Sequence, residues 1–480
     1  MASALDKFFD AVDDLSSSFK DRLGKAIHMQ SVSSEADKRD ELTKMAKFLA
    51  DELNTLGAQA EPKLLPNNLP PVVIGHYPKS PDQTKPTILI YGHYDVQPVT
   101  GQPWHYEPFE LTQAGAVDDE RYYGRGTTDD KGPVVAWANV IQAHQKAGVD
   151  IPVNLRFCFE GMEESGSTGL AEYLASEEGR KIFEDVDAGC ISDNYWLDTK
   201  KPCLTYGLRG INYFKITISG PPTQLHTGLF GGTVYEPLTD LVTLLSKLVA
   251  SQGNILVTGI QEDIELLTEE EEETYDNIDF TMQDFNNSIG PNTDCGIFND
   301  PKRILMARWR YPSLSIHGFD GSANGPETVT SIPPWVTGKF SIRTVPSMTT
   351  EQVTELVTNY LKGEFEKLNS KNRLDIEMTD SGEWWRTDPQ ARNFKAAELA
   401  TQKVWENVTP DLTREGGSIP VALDIQEGLG SDKSLMLLPI GTSSDGAHGP
   451  DENMRVRNYQ NGVKVLGAYL HYFAEKGIEE

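Results

Sequence analysis

The chain has 480 residues, 38% hydrophobic and 24% charged, which is too long for one hydrophobic core, so two domains or one domain with a large insertion are expected. Acidic residues number 72 against 43 basic ones, for a net charge of −29. That balance excludes nucleic acid and anionic membrane surfaces as partners, because phosphate binding needs clustered Lys and Arg.

The first ten residues have no basic start and no long apolar run, so no signal peptide is expected. No segment approaches the roughly 18 uninterrupted apolar residues of a membrane span. Cys158, Cys190, Cys203 and Cys295 form no CxxC pair, so a zinc-thiolate site is not expected. Cys158 and Cys190 lie in apolar runs and read as small buried hydrophobes. So few thiols in so long a chain point to a reducing, cytoplasmic compartment. The sequons at Asn286 and Asn407 then read as chance matches.

The first sixty residues read as helical. Leu42, Met45, Ala46, Leu49, Leu53 and Leu56 recur at helical spacing, with Ser33 or Ser34 to cap the start and Gly57 to end it. Strands and helices then alternate: strand 87–91, helix 134–147, strand 153–159 and strand 188–191. From 210 to 382 the pattern changes to alternating strands at 211–219 and 336–345 with helical stretches such as 238–249. Pro221-Pro222 and residues 321–326 read as turns. The run 269–273 is five adjacent glutamates, which repel rather than converge on a metal, and reads as a solvated face. After 382 the alternation resumes with a helix over 388–405, a turn at 414–420, a strand at 435–438 and a final helix from 458 to 474. The predicted fold is α/β: a mainly parallel-sheet catalytic domain (1–209 and 383–480) with an inserted α+β domain (210–382).

Five short segments carry the chemistry: Tyr91-Gly-His93-Tyr-Asp95, Gly124-Arg-Gly-Thr-Thr-Asp129-Asp130-Lys-Gly132, Glu160-Gly-Met-Glu163-Glu164-Ser-Gly166, Ile191-Ser-Asp193-Asn194 and Asp445-Gly-Ala-His448. They fall mostly just after strand ends, where open α/β sheets place their sites. Together they hold two imidazoles, three candidate carboxylate ligands and a spare carboxylate, the inventory of a two-metal hydrolase.

Taken alone, His93 with Asp95 describes a satisfied surface or core histidine. Beside the other segments, Asp95 reads as the group that orients the ring. The Gly124–Gly132 segment lacks the Gly-Lys-Ser/Thr ending of a phosphate loop, and Asp129 there could bridge two metals with its two oxygens. Adjacent Glu163 and Glu164 would repel at one site unless a cation relieved them; one ligates while the other accepts a proton from water. Asp193 and His448 complete two ligand sets. These ligands suit Zn²⁺ and equally Mn²⁺ or Co²⁺.

In this order, the five segments resemble the aminoacylase/carnosinase family of co-catalytic metallopeptidases, over nearly the whole chain. Asp193-Asn-Tyr-Trp196, Thr205-Tyr-Gly-Leu-Arg-Gly210, Lys339-Phe-Ser-Ile-Arg343 and Arg414-Glu-Gly-Gly-Ser-Ile-Pro420 resemble the family's cytosolic dipeptidases, fungal Cys-Gly dipeptidases of glutathione breakdown among them. The resemblance implies two divalent ions per subunit, Zn²⁺ or Mn²⁺. Asp129 would bridge them, His93 and Asp193 would hold one, and Glu164 and His448 the other. Asp95 would orient His93, and Glu163 would be the general base. It further implies a homodimer in which the inserted domain is both dimer contact and lid. His226 would reach the partner subunit's site to hold the oxyanion, and Thr330, Arg343 and Ser418 would grip the carboxylate of a dipeptide. An N-acyl amino acid deacylase on the same scaffold is the alternative. Loss of Glu163 or a ligand would mark a catalytically silent scaffold, and none is lost. Two departures stand out: Thr227 replaces a common Ser, and around Asp380-Ser381-Gly382 the chain lacks a His of the mammalian members. The second touches substrate preference and leaves the metal ligands alone.

Overall fold

Helices come first along the chain, as the apolar spacing requires: Ala4–Asp14, Ser16–His28 and Arg39–Thr55. The computed structural model describes residues 3–290, 293, 295–323 and 329–478. Leu42, Met45, Ala46, Leu49 and Leu53 are the buried stripe of the third helix. Gly57 follows it with φ +87°, the left-handed conformation that glycine adopts without strain. The expected serine cap is not formed. A 3₁₀ turn, Ala36–Lys38, precedes the helix, and the Ser33 hydroxyl pairs with the Ser165 hydroxyl at 2.9 Å instead.

A nine-stranded sheet forms the centre of the molecule. Thr87–His93 lies between Asn154–Glu160 and Ala188–Ile191, parallel to both, and Ser434–Leu437 continues the parallel run. The expected parallel sheet is thus borne out at the centre. Its margins are antiparallel, where Val72–Tyr77 pairs with Gln59–Lys63 and with Asn154–Glu160. Both faces are covered. Ile88 and Ile90 face one core, packed with Phe8, Phe19, Trp137, Phe394 and Leu466 of the helices. Leu89 and Tyr91 face the other, with Leu170, Leu174 and Ile425. Burial on both faces is why this strand reads as an unbroken apolar run. Several strands escaped the sequence reading, Gln59–Lys63, Val72–Tyr77 and Cys203–Leu208 among them, and one corrects it: Asp411–Glu415 pairs parallel with Cys203–Leu208, so Arg414 and Glu415 end a strand rather than open a turn.

A second, four-stranded antiparallel sheet joins Ser313–Asp320, Trp335–Thr344, Gly210–Ser219 and Arg373–Gly382. Phe214, Ile216 and Ile218 alternate onto the helices Pro237–Leu245 and Thr350–Lys367. The turn expected at 321–326 lies in part outside the described residues, from 324 on. A smaller apolar cluster joins Tyr275, Phe280, Leu305 and Trp309. The glutamate run beside it is solvated as expected, Glu269, Glu270, Glu272 and Glu273 being exposed, with Glu271 the exception. That run forms the helix Glu269–Asp276, and Glu271 turns inward to meet Arg310 at 3.2 Å and Arg414 at 2.9 Å. Two arginines supply the compensation that sequence spacing could not show.

Cys158, Cys190 and Cys203 are buried and Cys295 exposed, all unpaired. Among the described residues, no helix is long and apolar enough to cross a membrane.

A histidine pair, His144 buried and His471 half-buried, joins the helices Lys131–Ala147 and Val456–Ala474: His144 Nε2 lies 3.1 Å from His471 Nε2. Burial pushes His144 from its ordinary 6.5 down to about 4, and lowers His471 in the same sense. The unfolded chain therefore takes the His144 proton first. The stability this site supplies is whole above pH 6.5 and is lost as pH falls from 6.5 to about 4. His144→Phe is expected to flatten that limb by roughly 3 kcal/mol, measured by urea unfolding at pH 7 and pH 4.5.

Candidate metal centre

The ligand segments meet at the carboxyl edge of the parallel strands. His93 ends the strand Thr87–His93, Glu163 and Glu164 form a 3₁₀ turn just after Asn154–Glu160, and Asp193 follows Ala188–Ile191. Asp129 arrives from the loop before the helix Lys131–Ala147. Gly92 is required by close approach: a Cβ there would stand 2.6 Å from both Asp130 Oδ2 and Val134 Cγ2.

Two donor sets result, His93 with Asp129 and Asp193, and Asp129 with Glu164 and His448, each with its donor atoms within 4.8 Å of one another. Asp129 belongs to both. Its Oδ1 lies 3.0 Å from His93 Nε2, and its Oδ2 lies 2.9 Å from His448 Nε2. Asp193 Oδ2 is 3.6 Å from His93 Nε2, and Glu164 Oε2 is 3.2 Å from His448 Nε2. Glu163 Oε2 stands beside the first set, 3.9 Å from His93 Nε2.

Electrostatics favour cations here. Burial opposes charge on His93, but Asp193 and Asp129 outweigh it and raise its pKa well above the usual value. Hydrogen bonds to the carboxylates of Asp129 and Glu164 push His448 up to about 11. Burial, aided by Asp193, Glu164 and Asp129 and opposed by His93, lifts Glu163 well above the carboxylate range. Asp193 is raised by burial too. So many carboxylates around two imidazoles hold protons tightly, and divalent ions fit the same oxygen and nitrogen donors.

Asp95 has a second set of partners beside the histidine that sequence spacing pairs it with. His93 Nδ1 is closer to the Asp95 backbone carbonyl, at 3.1 Å, than to its carboxylate, at 3.4 Å. Donation to that carbonyl leaves the Nε2 lone pair facing Asp129 and Asp193. The Asp95 carboxylate instead accepts the backbone N–H groups of Glu163 and Glu164, each at 3.1 Å. It therefore holds the glutamate pair as well as the histidine.

Other predicted residues form two further groups. Arg343 Nη1, on the second sheet, donates at 3.3 Å to Ser418 Oγ in the loop after Asp411–Glu415. His226 and Thr330 sit at a short ribbon in which Leu225–His226 pairs with Ser331–Ile332, and Thr227 N–H donates to the Thr330 carbonyl at 3.1 Å. His226 is exposed, and its Nδ1 accepts from Gly228 N–H at 2.9 Å, which makes Nε2 the proton-bearing nitrogen of the neutral ring. Among the described residues it makes no hydrogen bond to the five candidate ligands of its own chain.

Four residues at the site were missed. Gln97 Nε2 donates to Glu164 Oε2 at 2.8 Å. Glu452 and Arg125 form a fully buried ion pair at 2.7 Å behind the Asp129 loop. Asp130 Oδ2 accepts the His93 N–H at 3.1 Å. Nothing in Asp451-Glu452-Asn453 marks a buried acid, whereas the glycines around Arg125 were a usable signal of a tightly packed loop.

A mainly parallel sheet with two imidazole–carboxylate donor sets at its carboxyl edge is the architecture of a metal-dependent hydrolase. The chain belongs to peptidase family M20/M25/M40, whose family model matches residues 89–472. It is 48% identical to Cys-Gly metallodipeptidase DUG1 of Candida albicans, over 98% of each chain. It is 40% identical to Beta-Ala-His dipeptidase of Homo sapiens, over 98% of this chain and 93% of that one. The solved structure of the dipeptidase Dug1p from Saccharomyces cerevisiae superposes with a TM-score of 0.88 at 43% identity, covering 99% of this chain and 100% of the other.

Proposed function

We propose that the chain is a di-metal dipeptidase that hydrolyses dipeptides with a free C-terminal carboxylate, Cys-Gly among them. The observation that carries this is Asp129, whose two oxygens each face a separate imidazole-bearing donor set. His93, Asp129 and Asp193 would hold one ion, and Asp129, Glu164 and His448 the other. One histidine and two carboxylates per ion suit Zn²⁺ and Mn²⁺ alike. When bound, the ions would supply Lewis acidity to the scissile carbonyl and to water. Glu163 takes the proton from that water and passes it to the leaving amine. His226 of the partner subunit donates Nε2–H to the oxyanion. Arg343 and Ser418, already paired, and Thr330 bind the substrate carboxylate, and the guanidinium gives two parallel donors for it.

The homodimer reading rests on the family resemblance, and the distribution of exposed apolar side chains agrees with it. Among the described residues, every exposed large apolar side chain except Leu64, Val117 and Val408 falls between 229 and 335, Leu229, Phe230 and Trp335 included. Their share of that span is compatible with the contact role that the resemblance gives the inserted domain. The unpaired thiols fit a cytoplasmic protein.

Three substrates test the reading. Cys-Gly is expected to be cleaved. Its C-terminal amide should lose about 10–100-fold in kcat/KM, the cost of leaving the arginine without an anion. N-acetyl-Cys-Gly should be untouched. Preferred cleavage of the N-acetyl compound would move the function to deacylation.

A further inference from the structure

His448 is the one candidate ligand with a left-handed backbone, at φ +62°. A non-glycine residue keeps that conformation only where its surroundings fix it. Two donors do so here, both on the His448 carbonyl: Gln102 Nε2 at 3.0 Å and Arg125 Nη2 at 3.2 Å. These two also bond each other, Arg125 Nη2 donating to Gln102 Oε1 at 3.0 Å. Trp104 completes the arrangement: its Nε1 donates to the same Gln102 oxygen at 3.1 Å, and the Arg125 guanidinium lies 5.0 Å from its ring centroid.

The far side of the guanidinium is anchored as firmly. Arg125 Nη1 pairs with Glu452 Oε2, and Glu452 Oε1 accepts the N–H groups of Gly126, Thr128 and Asp129 at 3.0, 3.1 and 3.1 Å. One buried ion pair thus ties the Asp129 loop to the His448 segment, though more than 300 residues separate Arg125 from either acceptor on that segment, Glu452 and the His448 carbonyl. The His93 set has no share in the Gln102 contacts. Its ring is held by Asp95, and its backbone N–H by Asp130.

We propose that Gln102 and Arg125 are positioning residues for the metal set of Asp129, Glu164 and His448, and that Gln102 acts on that set alone. The proposal rests on the two-metal reading. It follows that the affinities of the two ions can be separated from outside the ligand shell. Groups that orient a ligand in this way typically contribute 10–100-fold to metal affinity. Gln102 is the cleaner probe, because it is half-buried on a loop, whereas Arg125 also supports Asp129 through Glu452.

Metal-stripped wild type, Gln102→Ala, His448→Ala and the double variant are titrated with Zn²⁺ against a chromophoric chelator, and their metal-free melting temperatures are compared. Wild type is expected to take up two ions. Gln102→Ala should bind one as wild type does and the other about 10–100-fold more weakly, with an unchanged metal-free melting temperature. In the His448→Ala background, Gln102→Ala should have no further effect, which identifies the affected set. Arg125→Lys, which keeps a charge beside Glu452, should weaken the same ion where it folds. Unaltered binding of both ions by Gln102→Ala, or equal weakening of both, overturns the proposal. A wild type that binds fewer than two ions overturns the two-metal reading itself.

Discussion

Glu163→Gln is expected to lower kcat by about 10²–10⁴-fold while both ions remain bound. The substitution keeps the shape of the side chain and removes only its capacity to take a proton. Glu163 belongs to neither donor set, so metal content should not change. Its surroundings also set the sign of a pH effect. Without positive charge, burial and the carboxylates of Asp193, Glu164 and Asp129 favour its protonated, inactive form. Cations in the two sets offset those charges and restore the carboxylate at neutral pH. The rate should therefore rise with pH through the Glu163 titration, and Gln should abolish that limb. Metal analysis beside steady-state kinetics checks both points, and undiminished turnover at full occupancy would remove Glu163 from the base role.

His226→Ala is expected to reduce kcat by about 10²–10³-fold, the range for losing one oxyanion donor. The distinctive outcome comes on mixing. If His226 acts on the partner subunit's site, a heterodimer of His226→Ala and Glu163→Gln chains contains one complete site. Random exchange of two inactive preparations should then regain about a quarter of wild-type activity. The exposed ring, with Nε2–H free of its own chain's ligands, has the donor this requires. Activity that does not return in a mixture shown to exchange subunits would place His226 in the site of its own chain or outside catalysis.

Much of this centre was legible because a metal pair needs a particular inventory at strand ends. His93, Glu163, Glu164 and Asp193 each follow an apolar run that could only be a strand, so their convergence followed from the fold. The supporting groups were not legible, for three separate reasons. Glu452 is an ordinary acid in sequence, and only the fold brings three backbone N–H groups to it. Asp95 was tied to His93 by spacing, but its carboxylate points at the amides of residues 163 and 164, far away in sequence. Glu271 sits in a run whose mutual repulsion argues for solvent, and two distant arginines reverse that. The strand Asp411–Glu415 was hidden by the Gly416-Gly417 that follows, which drew Arg414 and Glu415 into a turn. Short-range pattern captures ligands that cluster after strands; long-range ion pairs leave no periodic trace.

Graded return of Zn²⁺ or Mn²⁺ to metal-stripped protein, with bound metal and Cys-Gly hydrolysis followed in the same sample, tests the central claim most directly. A metal-dependent dipeptidase with the two donor sets seen here should be inactive when stripped and reach full rate at two ions per chain. Full turnover of the stripped protein, or no Cys-Gly cleavage once both sets are filled, would contradict it.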